Sequence, residues 1–201
     1  IEQDTTPFPW YQRYQPISYQ LLSRSGNQSQ LATMVERCHQ AGVKIYADVV
    51  INHMASTGTG QGIGGSKFDT TDFSYDGVPY TQADFNQPCV IEPRDYAEEP
   101  WRVQHCQLSE QQDLDTDSPQ VQAEIATAMN KLLELGVAGF HIGAAQHIPP
   151  QDLAKILRQL QPLNTKFHTN GGRPFIYQEV THTGSDVIKS SDYFGNGAVT
   201  E

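Results

Sequence analysis

The run Lys44–Ile51 (KIYADVVI), with two others like it, Val137–Ile142 (VAGFHI) and Pro174–Val180 (PFIYQEV), decides the fold. Each is short and rich in β-branched or aromatic residues, the pattern of a strand. The first two each follow a helical pattern. Leu31, Met34, Val35 and Cys38 keep helical spacing and stop at Gly42; Val121, Ile125, Met129, Leu132 and Leu133 do the same and stop at Gly136. Ser118 followed by Pro119 reads as an N-cap and first helical position. A third apolar face, Leu153, Ile156, Leu157 and Leu160, begins after Pro150 and precedes the last run. Helices alternating with strands in this order predict a parallel sheet. Tyr14–Leu21 (YQPISYQL) reads as a further strand, for a count of four.

Residues 54–117 fit neither period. They start with the glycine-rich STGTGQGIGG and continue through Pro, Asp and Tyr to two cysteines, Cys89 and Cys106. A stretch of this length exceeds ordinary loops and is expected to be an inserted subdomain. In α/β barrels such insertions follow strands, at the C-terminal face. The division is therefore residues 1–53 and 118–201 in a partial barrel, with 54–117 inserted. A Cys89–Cys106 bridge would close a short loop and contribute about 3 kcal/mol on the chain-entropy account. Cys38 lies on a helical apolar face. It is either a buried thiol acting as a small hydrophobe or a cysteine whose partner lies outside the chain.

With 13 Lys+Arg against 23 Asp+Glu, the formal charge is −10, which disfavours a phosphate-backbone partner. No run approaches the roughly 18 apolar residues a membrane helix needs. Neither nucleic acid nor membrane is an expected partner. The first residue is Ile and the last three are Val199, Thr200 and Glu201, so the chain reads as an internal piece of something longer.

In a parallel barrel, polar residues at the C-terminal ends of strands are the first candidates for a site. They are Asp48, Asn52 and His53, then His141 and residues 143–147, then Glu179. Glu179 ends an otherwise apolar strand, where an unpaired charge is expensive. It is expected to be paired, protonated or catalytic.

These residues carry a resemblance. DVVINH (48–53), GVAGFHIGAAQH (136–147) and PFIYQEV (174–180) resemble three ordered blocks of the α-amylase family of glycoside hydrolases. PWYQRYQPISYQLLSRSGN (9–27) and IKSSDYFGNGAVTE (188–201) are similar to its animal-type branch. The resemblance implies an α/β fold, a partial (β/α)8 TIM barrel holding roughly strands two to five, with the insertion after strand three. It implies retaining endo-hydrolysis of α-1,4-glucosidic bonds in starch or a related α-glucan. Glu179 matches the general acid/base, which needs a raised pKa. Trp10, Tyr11 and Tyr14 match the aromatic platform for glucosyl units, with Tyr11 where a second Trp is usual. Gln15, His53, Gln146 and His147 match substrate-binding positions. Asn52, the carbonyls of Gln104 and His147, and Asp113 match calcium ligands, all hard oxygen donors suited to a hard cation. Calcium would hold the insertion against the barrel. A glucan substrate and a disulfide-capable pair together imply a secreted protein, monomeric at full length.

The second block departs from the family. Where members read Gly-Phe-Arg-x-Asp-Ala-x-Lys-His, this chain reads Gly139-Phe140-His141-Ile142-Gly143-Ala144-Ala145-Gln146-His147. Gly143 stands at the nucleophile and supplies no carboxylate. His141 replaces an arginine of the chloride site, which leaves chloride doubtful, and Gln146 replaces a substrate-contacting lysine. The expectation is an α-amylase architecture with its hydrolytic chemistry lost or crippled. A glucan-binding relative without catalysis and a non-functional fragment are the alternatives. The third carboxylate of the family, the rest of the chloride site and a partner for Cys38 would lie in strands outside this chain.

Overall fold

The computed structural model describes residues 8–56, 58–181 and 183–200. The remaining positions, including the two chain ends assigned to the barrel and Thr57 of the insertion, lie outside the described residues.

A short 3-10 helix, Trp10–Tyr14, opens the described chain. A two-residue ladder follows, β1 (Leu22–Ser23) against β2 (Gly26–Asn27). Asn27 then caps α1 (Gln28–Gln40): its side chain accepts from the Gln30 N–H while the Gln30 side chain accepts from the Asn27 N–H. The first sheet strand, β3, spans Tyr46–Val50. The insertion holds β4 (Thr59–Gln61), β5 (Lys67–Asp69) and β6 (Ser74–Tyr75), paired antiparallel, and two short helices, α2 (Asp95–Glu98) and α3 (Pro100–His105). After it come α4 (Pro119–Glu134), β7 (Gly139–Gly143), α5 (Pro150–Arg158), β8 (Phe175–Glu179) and β9 (Ala198–Thr200).

The sheet order is β3-β7-β8-β9, parallel at every step. The three decisive runs therefore form adjacent strands, as their alternation with helices requires. The fourth strand differs from the expectation. Tyr14–Leu21 forms no ladder; its one bridge joins Ser18 to Gly77 of the insertion, and Ile17 is buried in the core as part of an irregular segment. Pro16 removes a backbone donor there. Ala198–Thr200 takes the fourth place beside β8 instead. In the same count the window moves on by one, to strands three to six, with the insertion still after strand three.

Pleating assigns the two faces. Phe140, Ile142, Ile176 and Gln178 point to one side and are buried in a single core with Val121, Ile125, Met129, Leu133, Leu153 and Ile156 of α4 and α5. Tyr46, Asp48, His141, Gly143, Tyr177 and Glu179 point to the other, the face that lines a closed barrel. It is open here, with Tyr46 42% and Phe175 52% exposed, because β3 and β9 are edges and these four strands do not close.

Phe68, Tyr75 and Phe85 of the insertion join that same core. Cys89 and Cys106 are bridged, 17 positions apart. Ser118 sits extended ahead of Pro119 as expected, but its side chain makes no cap hydrogen bond. On α1 only Val35 is buried, while Met34 is 40% exposed. Cys38 is half-buried with its Sγ 3.8 Å from the Met34 Sδ, so the fully buried thiol is corrected to a partly open one.

Candidate active site

Gly143 and Glu179 lie one step beyond the Ile142–Gln178 pair, at the C-terminal ends of adjacent strands and on the open face. β7 ends at Gly143, and the left-handed backbone of Ala144 (φ 53°) starts the 3-10 turn Ala145–His147. The Ala144 N–H donates to Glu179 Oε2 at 2.8 Å. That bond fixes Oε2, and Oε1 has no hydrogen-bond partner among the described residues. Glu179 is thus paired, and it is exposed.

The backbone at Gly143 is one any residue adopts. A Cβ there would meet Val49 O and Val50 Cγ2 at 3.6 Å and Glu179 Oε2 at 3.9 Å, ordinary contact distances. Gly139 contrasts with it, since a Cβ would fall 2.1 Å from the Phe175 carbonyl oxygen. The fold requires glycine at the start of β7 and not at its end.

Two residues deeper on the same face, His141 Nδ1 lies 2.5 Å from Asp48 Oδ1. The imidazole also rests against the Tyr177 ring, with centroids 4.8 Å apart. Register explains this cluster: Asp48, His141 and Tyr177 occupy one row across β3, β7 and β8.

Trp10, Tyr11 and Tyr14 form an exposed aromatic group on the opening 3-10 helix, Trp10 being 76% exposed. Trp10 meets Tyr11 and Tyr14 edge to face, each at 6.0 Å. His53 ties this group to the end of β3, for its Nε2 lies 3.0 Å from the Tyr14 carbonyl oxygen and must be the donor. Its Nδ1 is 3.3 Å from the Asn52 amide. The ring is 3% exposed, and burial lowers its pKa to about 4. His53 therefore stands as a neutral, buried link between the end of β3 and the aromatic group. His147 is likewise buried, its Nδ1 2.9 Å from the Val103 carbonyl oxygen and its Nε2 3.3 Å from the Gln146 amide. Burial lowers its pKa as well. Gln146 is thereby turned to His147, and Gln15 accepts from the Ser56 hydroxyl at 3.2 Å.

Of the expected cation ligands, Asn52 and Asp113 are in direct contact, while Gln104 and His147 are each tied to Tyr193 or its neighbours. Asn52 donates to Asp113 Oδ1 at 3.1 Å, and Asn86, which sequence reading did not single out, donates to Oδ2 at 2.8 Å. Asp113 is 3% exposed, and burial holds its carboxyl well above the usual range although the Asn86 and Asn52 amides pull it down. Gln104 lies in the last turn of α3, where carbonyls lack a partner further along the helix. Its side chain reaches the Tyr193 hydroxyl, which in turn donates to the Gln146 and Ile148 carbonyls around His147. A buried carboxylate without a countercharge, beside amide and carbonyl oxygens, suits a hard dication. Among the described residues no cluster of three or more His, Cys, Asp or Glu exists, so carbonyl and amide oxygens would have to complete any such site.

A family model described as alpha amylase, catalytic domain, matches residues 11–189. The chain belongs to the α-amylase family. It is 45% identical to the α-amylase of Hypothenemus hampei over 96% of its own length and 39% of that protein. Identity to the pancreatic α-amylase of Rattus norvegicus is also 45%, with the same coverage. The α-amylase I of Eisenia fetida superposes over the whole chain and 42% of its own, with a TM-score of 0.95 and 41% identity. The chain thus spans about two-fifths of the length of the relatives it matches. A cyclomaltodextrin glucanotransferase at 15% identity (TM-score 0.71) shares the fold. Among the described residues no helix is long and apolar enough to cross a membrane.

Proposed function

We propose that this chain forms the part of an α-amylase-type catalytic domain that carries the acid/base and the aromatic glucan platform, and that its retaining hydrolysis of α-1,4-glucan is lost or crippled at Gly143. The observation that carries this reading is the adjacency of Gly143 and Glu179 at neighbouring strand ends, with room for a side chain at Gly143. A retaining glycosidase sets two carboxyl groups about 5 Å apart on opposite sides of the scissile bond. A β-carboxylate added at Gly143 would face Glu179 across such a gap, since its Cβ already stands 3.9 Å from Oε2. Glu179 acts as the acid through Oε1 while the Ala144 N–H fixes Oε2. Trp10, Tyr11 and Tyr14 stack glucosyl units, as exposed aromatic faces do. Gln15 and Gln146 flank that path, and His53 and His147 support it from beneath.

Asp113 and Asn52 side-chain oxygens, with the carbonyls of Gln104 and His147, are the residues that would hold calcium. Its role there is to neutralise Asp113 and clamp residues 54–117 to the barrel segments. His141 lacks the fixed positive charge of an arginine, so chloride is not proposed as a cofactor. The bridged Cys89–Cys106 pair and a glucan substrate favour a secreted protein. Restoring the carboxylate is the direct test. The Gly143→Asp variant of the full-length protein should release reducing sugar from soluble starch at least about 1,000-fold faster than the parent, a partial recovery of the roughly 10⁶-fold that losing a nucleophile costs. A folded variant no faster than the parent would overturn the reading.

A further inference from the structure

We infer that Asp48 and His141 form a general-base dyad that activates a water beside Gly143, so that the residual reaction of this site proceeds with inversion at the anomeric carbon. The inference rests on the proposed α-glucan site and deepens it. A carboxylate only accepts hydrogen bonds, so the 2.5 Å contact makes His141 Nδ1 the donor to Asp48. In the neutral ring Nε2 is then the basic nitrogen, the same hydrogen-bond orientation as in the aspartate–histidine pair of hydrolytic triads, here with a half-exposed Asp48. Nε2 has no hydrogen-bond partner among the described residues, and the Tyr177 ring packs against the imidazole and limits its rotation.

Placement favours a water rather than a covalent nucleophile. His141 and Gly143 share one strand face, two residues or about 6.6 Å apart. His141 and Glu179 are diagonal neighbours on β7 and β8, about 8 Å between Cα atoms from the strand rise and spacing. Inverting glycosidases separate the side-chain groups of acid and base more widely than retaining ones, to leave room for the attacking water, and His141 stands two residues deeper on β7 than the Gly143 position a covalent nucleophile would take. A Cβ at Gly143 would meet no atom closer than 3.6 Å, so the position beside it is open to a small group.

In the step itself, the water oxygen bonds to the anomeric carbon from the face opposite the departing oxygen and gives a proton to His141 Nε2. The carbon–oxygen bond breaks with its electron pair staying on the glycosidic oxygen, which takes the proton of Glu179. An α-linkage thereby yields a β-anomer, and the excess proton on His141 returns to Glu179 through solvent. His141 is the catalytic residue here and Asp48 the positioning residue.

Proton NMR of freshly cut maltopentaose, with the full-length protein, reads the outcome directly. The parent should release the β-anomer first, and His141→Gln should lose at least 100-fold in rate, the usual contribution of a general base. Asp48→Asn should lower kcat with KM unchanged and leave the β-anomer as first product. Gly143→Asp should switch the first product to the α-anomer. If Gly143→Asp cuts with retention while the parent gives α-anomer or no product, the dyad is refuted and the α-glucan site stands. If neither protein cuts, the underlying reading fails and the inference with it. A folded His141→Gln variant as fast as the parent would also overturn it.

Discussion

Replacing Gly143 by Ala should leave the fold intact or slightly firmer, whereas Gly139→Ala should damage it severely. At Gly143 a methyl group meets its nearest atoms at 3.6 Å, so no neighbour has to move. Glycine inside a strand is less stable than alanine by roughly 0.5–1 kcal/mol, through the extra freedom it gives the unfolded chain. The expected gain is about 0.5 kcal/mol. At Gly139 the same methyl falls 2.1 Å from the Phe175 carbonyl oxygen and 2.9 Å from that residue's N and C atoms. The obstacle is backbone of the paired strand, so β7 and β8 must separate, at about 3 kcal/mol, the upper end for overpacking. Urea unfolding followed by circular dichroism measures both. With a slope of about 2 kcal/mol per molar urea, the midpoint should rise by roughly 0.2 M for Gly143→Ala and fall by roughly 1.5 M for Gly139→Ala. A Gly143→Ala variant destabilised as much as Gly139→Ala would refute the reasoning. Glycine at 143 would then be a demand of the backbone and no mark of altered chemistry.

Calcium should raise the melting temperature of the parent and leave Asp113→Asn unaffected; in EDTA at neutral pH the variant should melt above the parent, because it removes a buried carboxylate whose partners are neutral. A parent insensitive to calcium contradicts the assigned ligands. Stability in EDTA should also depend on His53, whose pKa is about 4 folded and about 6.5 unfolded. The unfolded chain binds more protons between those values, so this contribution is complete above pH 6.5 and is lost as pH falls toward 4. It is worth on the order of 3 kcal/mol, and burial of His147 acts in the same direction. Denaturant titrations of the parent and His53→Gln across that range should converge near pH 4; parallel curves would contradict it. Reducing Cys89–Cys106 should cost about 3 kcal/mol, read as a lower urea midpoint, and an unchanged midpoint would mean that the bridge constrains nothing.

The helices α1 and α4 and the strands β3, β7 and β8 are legible in the sequence because each strand run is rich in β-branched or aromatic residues and these two helices stop just before Gly42 and Gly136. Tyr14–Leu21 misleads for a physical reason: Ile17 is buried by packing under the insertion, with no ladder to follow, while Pro16 interrupts any pairing. β9 escapes notice because three residues after a glycine carry no periodic signal, and β8 recruits them by offering its free edge. Gly143 and Glu179 stand at strand ends that the sequence marks, and Asp48 and His141 are mid-strand on the same face. Their arrangement depends on register, which sequence does not print: Asp48 opposite His141, and Gly143 beside Glu179. The Ala144 N–H on Glu179 and the Asn86 amide on Asp113 have no sequence signal of their own, one being backbone and the other an ordinary loop asparagine.

Small-anion rescue tests the central claim, a glucan site whose carboxylate is missing at Gly143. The measurement is the rate of fluoride release from α-maltosyl fluoride by the full-length protein as azide or formate is added. The account predicts a rate that rises and saturates with azide, with β-maltosyl azide formed by attack from the Gly143 side. A rate unchanged at every azide and formate concentration, in a folded protein, would contradict it.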